Sequence, residues 1–284
     1  MLFRSTYYLI KLIRNQWMSP PEIEEIQRRK LEAIVRHAYE NVDYYRQLFD
    51  SVGVKPEEIK DKNDLSRIPI TNKSQLQKLP IEKITAKGIR LDECMQVKTS
   101  GSTGIPLDII IGKEDLRFRG AVFMRALLAN GYRLKDKEVN IVNFPGDYRN
   151  RWYQSLGIRR QKYILVFDEI DEQIQQLRRT KPDIIQAFPS SLWTVAEAIK
   201  HMEVKAICPR IIISGGEVLT QQTREIIDST FGVRMVDSYN SYEFGNIAWE
   251  CSRHAGYHIE KKINSRTVLY IYRVDNAHNK KNVS

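Results

Sequence analysis

The chain has 284 residues, of which 42% are hydrophobic and 28% charged, which is typical of a folded globular protein and excludes a disordered one. No apolar run reaches the roughly 18 residues of a membrane-spanning helix, and basic residues interrupt the first apolar stretch, which argues against a signal peptide. The net charge of +10 favours a polyanionic partner, either nucleotide, CoA, nucleic acid or an anionic membrane, and does not choose among them. Three widely spaced cysteines argue against a disulfide framework and favour the reducing cytoplasm.

Residues 1–18 have the periodicity of an amphipathic helix. Basic residues fall on one side, and apolar residues, among them Ile10 and Trp17, fall on the other. Such a helix either docks on the protein body or makes peripheral contact with a membrane surface, and the sequence leaves both open. Ser19-Pro20-Pro21 ends it, and a second helix is predicted over about Glu22–Tyr39. We expect residues 1–94 to form a helical region packed on the main domain.

From residue 95 short apolar runs alternate with helical patterns, which predicts βαβ units. The expected fold is α/β, with layered mixed or parallel sheets flanked by helices. The predicted strands are Leu107–Ile111, Val139–Phe144, Tyr163–Phe167, Asp183–Ala187, Arg210–Ser214 and Val233–Val236, and the predicted helices are Asp115–Ala129, Glu169–Arg179, Ser190–His201 and Thr220–Ser229. A last strand, Thr267–Tyr272, runs into a polar tail, so the domain 95–284 is expected to be incomplete at its C-terminal end.

The first segment whose residues could bind a ligand is Thr99-Ser100-Gly101-Ser102-Thr103-Gly104-Ile105-Pro106. Glycines permit close backbone approach, and hydroxyls with exposed N–H groups can hold phosphate oxygens. It is not a Walker loop, because no Gly-Lys-Ser/Thr follows at the required spacing. The alternative is an ordinary surface turn.

Two further segments follow predicted strands, at the strand ends where parallel sheets bind ligands. Ser214-Gly215-Gly216-Glu217 is a turn against which a flat ring could lie, or a plain strand-to-helix turn. In the loop predicted over Asp237–Gly245, Tyr239 could stack on a purine, Ser241 could bind phosphate, and Glu243 offers the hard oxygen that Mg²⁺ prefers. The alternative for this tyrosine-rich segment is core packing.

These three segments, in this order, resemble the motifs of adenylate-forming, AMP-producing ligases, and the closer resemblance is to the branch of phenylacetate–CoA ligase and the capsular-polysaccharide protein CapK. It covers essentially residues 15–270. Segments similar to that branch are Trp17–Pro21, Ala33–Tyr45, Ile68–Lys73, and Lys181–Ile185 with Phe188-Pro189-Ser190, the last pair similar to a segment that lines the acyl pocket.

The resemblance implies an N-terminal domain of that superfamily and a reaction in which ATP activates a small carboxylic acid as an acyl-adenylate, followed by transfer to CoA, in polysaccharide or secondary metabolism. Thr103 and Glu243 would be catalytic, with Mg²⁺ on Glu243. The nucleotide would contact Thr99, Ser100, Gly101, Ser102, Thr103, Gly104, Gly215, Gly216, Glu217, Tyr239, Asn240, Ser241 and Tyr242.

Some features depart from that pattern. Leu107 replaces a lysine and Tyr242 replaces a hydroxyl residue. The later Gly-Asp motif and the mobile C-terminal domain with its catalytic lysine are not found, so the chain looks truncated. We expect it to bind nucleotide and to turn over poorly. A non-catalytic nucleotide-binding remnant is the first alternative, and a nucleic-acid-binding protein, suggested by charge alone, is the second.

Two weaker patterns remain. Cys251, His254 and His258, beside Glu250, are candidate zinc ligands, although their spacing matches no standard zinc site and a packed loop is the alternative. The basic run Arg149–Lys162 could meet CoA phosphates or nucleic acid, or be a solvated surface.

Overall fold

The computed structural model describes residues 2–98, 107–143, 152–202 and 207–259. Internal contacts divide the chain into two compact units, with the boundary between Ala121 and Val122. This boundary falls inside one helix, which runs over Lys113–Ala129. The division expected near residue 94 coincides with the start of the first strand at Met95, and as a domain boundary it stays a prediction.

The first unit begins with helices that pack on one another through large apolar side chains. Val35, Phe49 and Ile59 are fully buried at its centre, which is why the periodic apolar residues of this region form helices that pack on one another. The Ser19 N–H donates to the Glu22 carboxylate (2.8 Å), which fixes the start of the second helix. The helices are α1 Leu2–Asn15, α2 Pro20–Asn41, α3 Asp43–Ser51, α4 Lys73–Leu76 and α5 Ile81–Ile84.

Two strands complete the described part of the first unit. β1 (Met95–Lys98) and β2 (Asp108–Ile111) pair antiparallel, with Lys98 opposite Asp108. Apolar residues of β2, including the buried Ile109, pack on the short helices α4 and α5.

The second unit is built on one seven-stranded sheet in the order β4-β3-β5-β6-β7-β8-β9. Strands β3 to β7 are parallel, and β8 and β9 are antiparallel additions at one edge. The elements are α6 Lys113–Ala129, β3 Lys137–Val142, α7 Trp152–Ser155, β4 Arg160–Leu165, α8 Ile170–Thr180, β5 Ile184–Ala187, α9 Pro189–His201, β6 Ile211–Gly215, α10 Gln221–Phe231, β7 Val236–Ser241, β8 Gly245–Glu250 and β9 Tyr257–Ile259.

Helices cover both faces of this sheet, which is why its central strands read as continuous apolar runs. Ile185 and Ile212 point to the face packed by α8, α9 and α10. Ile184 and Ile213 point to the other face, where Leu127 of α6 packs. The chain places β4 on one side of β3 and β5 on the other, so a topological switch point lies between β3 and β5, where such sheets open a crevice for ligands.

The α/β fold class expected from the sequence is confirmed, and the predicted helices and strands are found with shifts of a few residues at their ends. One assignment was wrong. Asp237–Gly245 is not a loop, because β7 continues to Ser241, a turn of Tyr242–Phe244 follows, and β8 begins at Gly245. The sequence pattern did not indicate a strand here because the side chains in the carboxyl half of β7 are polar and largely exposed. The strand predicted over Thr267–Tyr272 lies outside the described residues, and within them no helix is long and apolar enough to cross a bilayer.

A buried ion pair ties the amino ends of the second sheet together. The Asp136 carboxylate, 4% exposed, precedes β3 and accepts from the Arg133 N–H (2.8 Å). Arg210, just before β6, donates to both oxygens of Asp136 at 2.6 Å. Because β5 lies between β3 and β6, this pair spans an intervening strand.

We predict that Arg210→Ala lowers the free energy of unfolding by about 2–3 kcal/mol, because it leaves a buried carboxylate without its cation. The effect stays below that of a fully buried pair since the arginine side chain is 33% exposed. Urea denaturation followed by circular dichroism measures it. Arg178→Ala, at an exposed position in the last turn of α8, is the matched control and should change stability by about 0.5 kcal/mol or less. Equal losses in the two variants would contradict a structural role for the pair.

Candidate functional site

The glycine-serine-threonine loop does not follow a strand of the parallel sheet. It links β1 to β2, two neighbouring strands of the separate antiparallel pair. Thr99, Ser100, Gly101, Ser102, Thr103 and Gly104 themselves lie outside the described residues. Their assignment to phosphates stays a prediction from sequence.

The Gly-Gly turn ends β6 against the neighbouring strand β7. Gly215 lies opposite Ser238, and a Cβ at Gly215 would come within 2.4 Å of the Ser238 carbonyl oxygen and 2.6 Å of Asn240 Nδ2. Such distances are far below van der Waals contact, so only glycine lets the two strands meet here. From the sequence, these glycines were expected to give a ligand access to the turn. The structure shows that they permit β6 and β7 to approach each other.

Gly216 meets a second constraint, from the carboxyl end of β5. Its φ is +85°, a conformation that side chains rarely adopt, and a Cβ would lie 2.8 Å from the Phe188 ring. Phe188 directly follows β5, next to the switch point of the sheet. The carboxyl ends of β5, β6 and β7 are thereby packed together around the two glycines.

Glu217 has a structural partner that sequence reasoning did not anticipate. Its two carboxylate oxygens accept hydrogen bonds from the backbone N–H and the Oγ of Ser190, each at 3.0 Å. Ser190 is the second residue of α9, and carboxylates are favoured at helix N-termini because the free N–H groups carry partial positive charge. The segment Phe188-Pro189-Ser190 was the available signal, since a proline and a serine at a helix start indicate a site for a carboxylate.

The Tyr239–Glu243 segment lies on β7 and the turn after it. Tyr239 is 56% exposed and stands two residues from the carboxyl end of β7, beside the Gly-Gly turn of β6. Asn240 Nδ2 donates to the Ser238 carbonyl at 3.4 Å. Ser241 Oγ accepts from the Phe244 N–H at 3.1 Å, so this hydroxyl, expected to meet phosphate, closes the turn that carries Tyr242 and Glu243. Glu243 is half-buried, at the tip of the hairpin.

A layer of polar contacts under Tyr239 fixes β7, β8 and β9 to one another. The Tyr257 hydroxyl donates to Asp237 at 2.5 Å, and burial together with this hydrogen bond raises the pKa of the Tyr257 phenol. The Glu250 carboxylate accepts from the Asp237 N–H and from Arg224, each at 2.9 Å. These bonds hold the strand that presents Tyr239, so its exposed ring projects from a rigid support.

The zinc candidates are not brought together. No group of three or more metal-binding side chains suited to a metal occurs within residues 2–98, 107–143, 152–202 and 207–259. His258, on β9, stacks on Trp249 with ring centroids 6.3 Å apart, and His254 lies in a turn with its Nδ1 3.6 Å from Glu250. The backbone N–H of His254 donates to the Cys251 carbonyl oxygen, which closes a turn between these two residues. The packed-turn reading fits the cluster better.

Comparison with solved structures shows which class of fold this is. A crystal structure of 2-hydroxyisobutyryl-CoA ligase, in an open conformation with 2-HIB-AMP and CoA, matches with a TM-score of 0.68 at 18% identity, over 82% of this chain and 54% of that one. The same enzyme in its thioesterification state gives a TM-score of 0.69 at 19% identity, over 84% and 53%. The chain therefore shares the fold of about half of this acyl-CoA ligase.

Sequence comparison narrows the relationship, although no protein-family model matches the chain. A phenylacetate-coenzyme A ligase of Aromatoleum evansii is 29% identical over 248 residues, covering 82% of this chain and 54% of that protein. Its counterpart in Escherichia coli is 26% identical over 251 residues, covering 85% and 56%. The chain is similar in sequence to phenylacetate-coenzyme A ligases, which confirms the resemblance expected from its motifs, and it spans about half the length of these curated relatives.

We predict that Gly216→Ala lowers the free energy of unfolding by at least about 2 kcal/mol, because it adds a contact with Phe188 to the cost of positive φ. Gly232→Ala is the matched control, since Gly232 has φ +66° with no atom near its Cβ position, and it should cost about 1 kcal/mol. Urea denaturation measures both. The further change Phe188→Leu should recover part of the loss in the Gly216→Ala chain only. Equal losses at the two glycines would show that Phe188 does not restrict this turn.

Proposed function

We propose that the chain binds Mg²⁺ and ATP, forms an acyl-adenylate from a small carboxylic acid, and passes the acyl group to CoA. The observation that carries the proposal is the exposed ring of Tyr239 beside the Gly215-Gly216 turn, at the carboxyl ends of adjacent parallel strands. An exposed aromatic ring next to backbone without side chains can hold a flat purine between them. The relatives named phenylacetate-coenzyme A ligase support the reaction class.

We assign different residues to the adenine, to the phosphates and to the metal ion. The adenine lies between Tyr239 and the Gly-Gly turn, and Ser100–Gly104, with Thr103 as a catalytic hydroxyl, holds the phosphates. Glu243 holds Mg²⁺, and its carboxylate at the tip of the hairpin has the hard oxygen donors that this ion prefers. An ion held by Glu243 would supply positive charge that offsets the negative charge on the departing pyrophosphate. Glu217 positions the turn through Ser190 and leaves adenine contact to the backbone of its neighbours.

The proposal extends to the kind of acid, the metabolic context and the location of the protein. The acid is a small one, and the motifs shared with the CapK branch favour a place in polysaccharide or secondary metabolism. A cytoplasmic location suits the free thiols of Cys94, Cys208 and Cys251.

We predict that Tyr239→Ala weakens the binding of ATP and of AMP about tenfold each, because a stacking ring acts on the adenine that both ligands share. Glu243→Gln should weaken ATP binding with Mg²⁺ present and change AMP binding little. Titration calorimetry with both ligands, with and without Mg²⁺, separates the two roles. Phe167→Ala, at a 78% exposed position just after the edge strand β4, is the control for Tyr239. Loss of ATP and AMP binding in both site variants alike, or in neither, would contradict the division.

Single-turnover pyrophosphate release, with the chain in excess over ATP, tests the reaction class. We expect release that depends on adding one member of a panel of aryl, short-chain and sugar-linked carboxylic acids, and that is lost in Ser102→Ala/Thr103→Ala. ATP binding without acid-dependent release from any member would favour the non-catalytic remnant. Salt-sensitive retention of DNA or RNA without ATP binding would favour the nucleic-acid-binding alternative.

A further inference from the structure

Helix α1 has two faces, and one of them is packed within the first unit. Leu12 is 1% exposed, and the Tyr8 ring meets Phe118 of α6 edge-on, with centroids 5.6 Å apart. The Arg4 guanidinium (2.7 Å) and the Tyr8 hydroxyl (3.1 Å) both donate to the Glu114 carboxylate. The helix is therefore docked, and its orientation is fixed.

The opposite face presents an apolar stripe to solvent. Tyr7 is 59%, Ile10 53% and Ile13 36% exposed on the helix, and Trp17, in the turn after it, is 82% exposed. At the helical rotation per residue Tyr7, Ile10 and Ile13 fall within a sector of roughly 120°, which also contains Arg14. Together with Trp17 of the following turn they are called the stripe. The sequence pattern placed the apolar residues of this helix, among them Ile10 and Trp17, on one side. The structure divides them, because Leu12 is packed while Ile10 and Trp17 are exposed. Several large apolar side chains exposed on one side of a helix favour an interaction site.

The charges beside the stripe indicate what it meets. Lys11 and Arg14 are exposed, with the Lys11 ammonium 5.9 Å from the Tyr7 ring centroid, and α1 contains no acidic residue. Long basic side chains can lie along apolar surface and extend their charge to lipid headgroups, and tryptophan and tyrosine favour the same depth. A second copy of the chain would bring the same positive residues face to face, which disfavours a symmetric dimer at this stripe. An anionic lipid surface complements both features.

We propose that α1 docks the protein on an anionic membrane surface, with the Tyr7–Ile10–Ile13–Trp17 stripe at the boundary between headgroups and acyl chains and with Lys11 and Arg14 among the headgroups. Such a helix lies in the interface plane and does not cross the bilayer. The proposal does not depend on the nucleotide site, because the stripe shares no residue with that site.

Cosedimentation of the full chain with lipid vesicles tests the proposal. We expect binding to phosphatidylcholine vesicles that contain phosphatidylglycerol, little binding to phosphatidylcholine alone, and weakening as salt rises. Trp17→Ser and Ile10→Ser should each lower the partition coefficient about fivefold or more. Lys11→Glu/Arg14→Glu should lower it at least about tenfold on anionic vesicles, since each basic residue near such a surface contributes about fivefold. All are exposed positions, and circular dichroism checks that the variants fold.

Two control variants carry the same chemistry away from α1. Phe167→Ser removes an aromatic ring that is 78% exposed in the second unit, and Lys60→Glu/Lys62→Glu reverses two exposed charges of the first unit, and both should bind like the parent chain. Absence of vesicle binding, equal binding to neutral and anionic vesicles, or equal loss in the controls would overturn the proposal. So would a dimer that forms without lipid and is abolished by Ile10→Ser, because the stripe would then be an interface between copies.

Discussion

The close approach of three parallel strands at their carboxyl ends is the constraint on which the candidate site depends. At Gly215 the space that a Cβ would need is taken by the Ser238 carbonyl, and at Gly216 it is taken by the Phe188 ring. Two consecutive glycines are thus required before any ligand is considered. The same two glycines let the turn after β6 lie close to the strand that carries Tyr239, beside which we propose that the adenine binds.

Polar contacts then make this arrangement rigid. Glu217 fastens the Gly-Gly turn to the first turn of α9 through Ser190. Glu250 links β7 to α10 through the Asp237 N–H and Arg224, both at 2.9 Å. Groups held in this way lose little freedom when a ligand binds, which lowers the entropic cost of association. The carboxylate of Glu217 illustrates that a residue within a binding motif can act by positioning its neighbours.

The sequence predicted the central architecture because the parallel strands are buried on both faces. Short runs such as Ile211–Ile213 are typical of strands buried on both faces, and the helices between them show clear periodicity. The carboxyl half of β7 was missed because its side chains are polar, although its backbone pairs with strands on both sides. Local pattern reports burial, and it cannot report pairing with β8, whose sequence lies beyond the turn.

The site motifs were found for a different reason. A glycine pair after one apolar run and a tyrosine shortly after the next apolar run are local features, readable without the fold. The partnership of Glu217 with Ser190 joins residues 27 positions apart, and the stacking of His258 on Trp249 follows from the pairing of β8 with β9. In each case the outcome depended on tertiary pairing that spacing along the chain does not encode. The net charge of +10 does not indicate which surface its basic residues occupy. Only the structure places Lys11 and Arg14 among the exposed apolar residues of α1.

Photolabelling with 8-azido-ATP, followed by peptide mapping, tests the central claim most directly, because the reactive group is on the purine itself. The proposed site predicts labelling of the peptide that contains Tyr239 or of the one that contains Gly215–Val218, with protection by unlabelled ATP and AMP. Labelling confined to another region, such as the basic segment Arg149–Lys162, or labelling that neither nucleotide prevents, would contradict the assignment of the adenine to the carboxyl ends of β6 and β7.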